Sequence, residues 1–96
     1  MTEPIASSLD VSAVETRAEL HELLGESLGF PSDYGGNWDA FWDCIRSTEQ
    51  STMPPLLRIS GWTNLHRRMP RDARALRQCL NDLKAERDDV KIEWGA

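Results

Sequence analysis

Pro31-Ser32-Asp33-Tyr34-Gly35-Gly36-Asn37-Trp38-Asp39-Ala40-Phe41-Trp42-Asp43-Cys44 reads as a loop that turns into a helix, and its neighbours are assigned outward from that turn. Asn37 suits an N-cap, because its side-chain oxygen can accept from an orphan N–H of the first turn. Asp39 then falls where a negative charge suits the helix dipole. The helix is expected to run to about Ser47. At about 100° per residue, Trp38, Phe41 and Ile45 form a predicted core stripe at i, i+3 and i+7. Asp39 and Asp43 lie one turn apart on a face beside it, and Trp42 falls at the boundary. Arg46 falls on the side of the two aspartates, and no Lys or Arg occurs from Glu22 to Ile45.

Upstream, Leu20, Leu23, Leu24 and Leu28 recur at helical spacing within a helix over 16–28, stopped by Gly29 and Pro31. A short first strand is expected over Ile5–Leu9, after a loose terminus at 1–4. Downstream, Thr48–Met53 is polar and reads as a loop. Pro54-Pro55 forces an extended backbone into Leu56-Leu57-Arg58-Ile59-Ser60, the second strand, which Gly61-Trp62 ends. Asn64–Met69 reads as a short helix interrupted by Pro70, which can open the next. That last helix spans about Arg71–Glu86, with Ala73, Leu76, Cys79, Leu80 and Leu83 on one face. Asp88-Asp89 make a turn, and the alternation of Val90–Trp94 predicts a third strand. Strands separated by helices imply an α/β fold: a small three-stranded parallel sheet packed with about four helices, in one domain over 1–96.

A net charge of −5 disfavours nucleic acid and anionic membranes and suits a cationic partner. Cys44 and Cys79 make no disulfide framework, and each sits in an apolar helical pattern, as a reduced thiol does. The N-terminus lacks the basic start and apolar run of a secretion signal, and no stretch is long and apolar enough to span a bilayer, so a cytoplasmic protein is expected.

Asp39 and Asp43 repel each other by only about 0.2–0.5 kcal/mol at this spacing, so a plain solvated face is one reading of them. Trp42 beside them and Gly35-Gly36 before the cap favour a binding surface, since aromatics among charges make interface hot spots and glycines admit a close backbone. A rival reading is a nucleic-acid surface on His66, Arg67, Arg68, Arg71, Arg74 and Arg77, a run opposed only by Asp72. Catalysis is disfavoured: the two aspartates share an exposed face without the burial that raises a carboxyl pKa, and His21 and His66 stand alone. No metal-ligand spacing is present, and no cofactor is expected.

Tyr34-Gly35-x-Asn37-x-Asp39-Ala40-x-Trp42-Asp43-Cys44 resembles the loop and second helix of the barstar family, intracellular inhibitors of barnase-type guanyl-specific ribonucleases. Leu20-His21, Pro31, the proline-led strand and Lys84-Ala85-Glu86 agree, over about Ile5 to Ile92. The resemblance implies that this helix and loop plug a nuclease active site. Asp43 would take the place of the substrate phosphate among arginine, lysine and histidine side chains, and Asp39 and Asp82 would each meet an arginine. Gly35 and Asn37 would shape the loop and Trp42 would line the contact. The implied surface comprises Asp33, Tyr34, Gly35, Gly36, Asn37, Trp38, Asp39, Trp42, Asp43, Arg46 and Asp82. Against the family pattern, Asp33 replaces an aromatic, Trp38 an aliphatic and Arg46 a small polar residue, and Thr48 stands near a missing tryptophan. Those departures point to a different microbial ribonuclease as partner.

Overall fold

The computed structural model describes residues 6–47, 55–87 and 89–95. The order is β1 (Ala6–Asp10), α1 (Arg17–Leu28), α2 (Trp38–Arg46), β2 (Leu56–Ser60), α3 (Trp62–Arg68), α4 (Pro70–Glu86) and β3 (Lys91–Trp94). Both strand pairings are parallel, in the order β1-β2-β3. The expected α/β architecture is therefore present among the described residues, with three strands and four helices.

Parallel sheets usually have both faces covered. Here the strands alternate, with Leu9, Leu57, Ile59 and Ile92 buried and Ser8, Asp10, Arg58, Ser60, Lys91 and Glu93 exposed. The register puts Leu9 beside Ile59 and Leu57 beside Ile92, so one face carries the core and the other stays wet. Ser8, Arg58 and Glu93 form a row across the wet face, closed by an Arg58–Glu93 pair at 2.9 Å. Leu20, Leu24 and Leu28 of α1, Phe41 and Ile45 of α2, Leu65 of α3 and Leu76, Leu80 and Leu83 of α4 complete the core.

Boundaries differ from expectation where tertiary contacts decide them. β1 (Ala6–Asp10) runs one residue past Leu9, Ile5 lies outside the described residues, and Val11 N–H continues the contact by donating to Ser60 O at 2.9 Å. The helix before Pro70 starts at Trp62, two residues before Asn64, because left-handed Gly61 is already its cap. Thr16 caps α1 through its side chain, which accepts from Glu19 N–H at 3.1 Å. The expected loop at Thr48–Met53 and the terminus at 1–4 lie outside the described residues, as does Asp88 of the expected turn; Asp89 lies in one.

Candidate functional site

Asn37 caps α2 as its sequence position requires, its Oδ1 accepting from Ala40 N–H at 2.8 Å. The residue before it, Gly36, has φ +68°, a conformation that a side chain disfavours. The loop into the cap is pinned by Tyr34 N–H to Pro31 O at 3.0 Å and by Tyr34 packing on Phe30 at 4.8 Å between ring centroids.

The stripe of α2 is wider than the predicted one, since Cys44 joins it. Phe41, Cys44 and Ile45 are buried, whereas Trp38 is half-buried. Trp38 packs against the core, and its indole N–H finds an acceptor there: Nε1 donates to Asp72 Oδ1 at 2.9 Å, at the start of α4. The small Cys44 turns inward beside Phe41 and Ile45. Asp72 also accepts from Arg17 Nε at 3.0 Å, and this buried carboxylate joins the first turns of α1, α2 and α4. Nothing in the spacing of Arg17, Trp38 and Asp72 signalled it; the only cue was a lone acid in a basic run.

Beneath the loop, His21 is 2% exposed and its Nδ1 lies 2.5 Å from the Tyr34 hydroxyl. Trp38 packs on the imidazole at 4.5 Å between centroids, and the buried Nε2 has no hydrogen-bond partner among the described residues. Burial raises the Tyr34 pKa and keeps the phenol protonated, so its O–H can donate to Nδ1. Burial also lowers the His21 pKa; nearby Asp72 opposes this and Arg17 reinforces it. Below pH 6.5 the unfolded chain therefore takes up a proton that the folded chain resists, and stability falls as pH drops from there toward the lowered folded pKa. The slope from this one group is at most about 1.4 kcal/mol per pH unit. Urea unfolding of the wild type and His21→Gln between pH 6.5 and about 5 should show the weaker pH dependence in the variant; parallel curves would exclude His21 as the cause.

Above that cluster lie the carboxylates. Asp33, Asp39, Asp43 and Asp82 are all exposed. Burial raises the Cys44 pKa, with Asp43 and Asp33 adding to it, and burial raises Cys79 to about 11, with Asp82 and Asp39 adding to it. Asp82 lies on α4, one turn before Glu86, which pairs with Arg46 of α2. Raised thiol pKa values leave neither cysteine a nucleophile near neutrality. None of the four aspartates forms an ion pair among the described residues; Asp82 accepts from Gln78 Nε2 at 2.9 Å. Asp33, Tyr34, Gly35 and Asp43 border a cavity of about 190 Å³. A larger one, about 320 Å³, opens on the wet face of the sheet between Ser8, Arg58 and Trp94, away from these residues. Trp42 is half-buried at the boundary, as expected, with the Arg46 guanidinium over its ring.

The basic run does not make one stripe. α3 ends at Arg68 and α4 starts at Pro70, with Met69 non-helical between them, so the spacing of Arg67 with Arg71 and Arg74 is not continuous. Arg68 donates to Ser12 O at 2.8 Å, and Arg74 Nε to Pro70 O at 3.3 Å. Arg77 lies 4.9 Å from the Trp62 ring centroid and 5.3 Å from that of Trp94. Both tryptophans are half-buried, and Trp62 Nε1 donates to Ala73 O at 3.2 Å, so these rings belong to the edge of the fold. Among the described residues no helix is long and apolar enough to cross a membrane, and no three His, Cys, Asp or Glu side chains gather as metal ligands.

A family model described as Barstar (barnase inhibitor) matches residues 6–94 of the 96, and the chain therefore belongs to the barstar family.

Proposed function

We propose that the protein inhibits a secreted guanyl-specific ribonuclease of the barnase type by laying α2 and the loop before it over the nuclease active site. One observation carries the reading: Asp39 and Asp43 stand exposed one turn apart on α2, Asp33 and Asp43 border one cavity, and none of these, nor the exposed Asp82 of α4, has a cation paired to it among the described residues. A ribonuclease site concentrates cations to bind the RNA backbone. Carboxylates held on a rigid helix can occupy the same positions, with Asp43 as the phosphate mimic, and they pay little ordering entropy on binding. Long-range attraction then speeds encounter, and desolvated charge pairs slow release.

The roles assigned to Tyr34, Gly35, Gly36, Asn37 and Trp38 under this reading are those of positioning. They hold the loop and the first turn of α2 through the Tyr34–His21 and Trp38–Asp72 contacts. Trp42 and Arg46 border the contact. Inhibition is steric and electrostatic; it needs no cofactor and no catalytic step. In the cytoplasm it would protect a cell that exports the nuclease.

The test is to titrate the protein into barnase and other small guanyl-specific ribonucleases while following RNA cleavage. Activity should vanish near one equivalent, and the association rate should fall as salt rises. Undiminished cleavage across the panel would overturn the reading, and a salt-independent rate would remove the steering.

A further inference from the structure

We infer that Arg46 is a selectivity residue: it disfavours nucleases that set a cation at the corner between α2 and α4 and favours one that sets a carboxylate there, an inference resting on the acidic face as the nuclease-binding surface. Arg46 is the sole cation in α2. Its Nε lies 3.0 Å from Glu86 Oε2 and its Nη2 3.3 Å from Oε1, so the guanidinium grips one carboxylate through two nitrogens. The same guanidinium carbon lies 5.1 Å from the Trp42 ring centroid. Glu86 follows Asp82 by one turn of α4, so without Arg46 it would lengthen the acidic face and leave the Trp42 ring uncovered.

Arg46 therefore occupies the two things a cationic partner would use at this corner, a carboxylate and an aromatic ring. A partner cation arriving there meets like charge. A partner carboxylate meets the guanidinium N–H groups that Glu86 does not use, already oriented by stacking and pairing. The side chains of Arg46 and Glu86 are 49% and 46% exposed, so an incoming group can reach both. An ion pair this exposed adds little to folding, and stability alone does not call for it.

Association of wild type, Arg46→Gln and Arg46→Glu with barnase should be measured by stopped flow at low ionic strength. Arg46→Gln is expected to associate about threefold faster and Arg46→Glu about tenfold faster, with the differences closing at about 1 M salt. Equal or slower rates in both variants, with inhibition intact, would overturn the role of Arg46 alone. Failure of all three proteins to inhibit would overturn the underlying reading. A second arm changes to Glu the barnase side chain nearest Arg46 in the complex. That change should slow dissociation from the wild type and quicken it from Arg46→Glu; the same change with both would exclude a carboxylate partner for Arg46.

Discussion

Replacing Asp43 with alanine is expected to weaken binding to the ribonuclease by more than about 2 kcal/mol, roughly thirtyfold in Kd. Asp43 is exposed near the middle of α2, beside the cavity bordered by Asp33, Tyr34 and Gly35. The helix beneath it is set independently: Asn37 caps it, Trp38 is tied to Asp72, and Phe41, Cys44 and Ile45 are buried. Truncating Asp43 disturbs none of these. Alanine is the better helix former, and its introduction removes the repulsion with Asp39 one turn away. The variant should therefore fold at least as stably as the wild type, so a loss of binding reports the missing carboxylate and the nuclease cations left unpaired. Calorimetric titration gives Kd and thermal melting checks the fold. An unchanged Kd would remove Asp43 from the centre of the contact.

Gly61→Ala should have the largest effect on folding, a loss of more than about 3 kcal/mol and a fall in melting temperature of at least about 12 °C. Gly61 is buried between β2 and α3 with φ +78°, where an L side chain is strained by about 1–2 kcal/mol. Space is the harder constraint. A Cβ there would stand 2.5 Å from Ser12 Cβ, 2.6 Å from Ser12 N and 2.7 Å from its Cα. Two of those atoms are backbone in the segment leaving β1, close to where Val11 N–H donates to Ser60 O. Relief requires β1 and β2 to part at that end, and Leu9, Val11 and Ile59 are all in the core there. Circular dichroism during heating reads the shift; a variant melting with the wild type would mean that the β1–α1 connection yields freely. The residue's importance comes from a neighbour almost fifty positions away, which explains why Gly61 reads in sequence only as the end of a strand.

The contrast between local and long-range causes runs through the molecule. Helix and strand periodicity, the Asn37 cap, the Gly29 stop and Pro70 at the head of α4 are signals carried within a turn or two of chain, and the elements they announce are present. The parallel sheet followed from strands alternating with helices, and the Tyr34–Cys44 motif named the family that the match over 6–94 shows. Asp39, Asp43 and Trp42 were placed by the wheel alone, and their exposed, exposed and half-buried positions agree with it.

What the chain does not announce is which polar group each side chain meets. Trp38 at the rim of the core is tied to an acceptor on α4, and Asp72, one acid among arginines, becomes the buried junction of three helices. His21 gains its environment only when Tyr34 and Trp38 fold over it. Arg68 is claimed by the Ser12 carbonyl, Arg74 by the Pro70 carbonyl at the head of its own helix and Arg77 by two tryptophan rings, which breaks up a run that looks continuous on paper. The sequence by itself determined the elements, the fold and the acidic face, because hydrophobic period and capping act over a few residues. The anchoring of the first turn of α2 and the pairing of Arg46 with Glu86 were decided only in the tertiary structure, because a buried donor or a charge takes whichever partner the packed helices bring within about 3 Å.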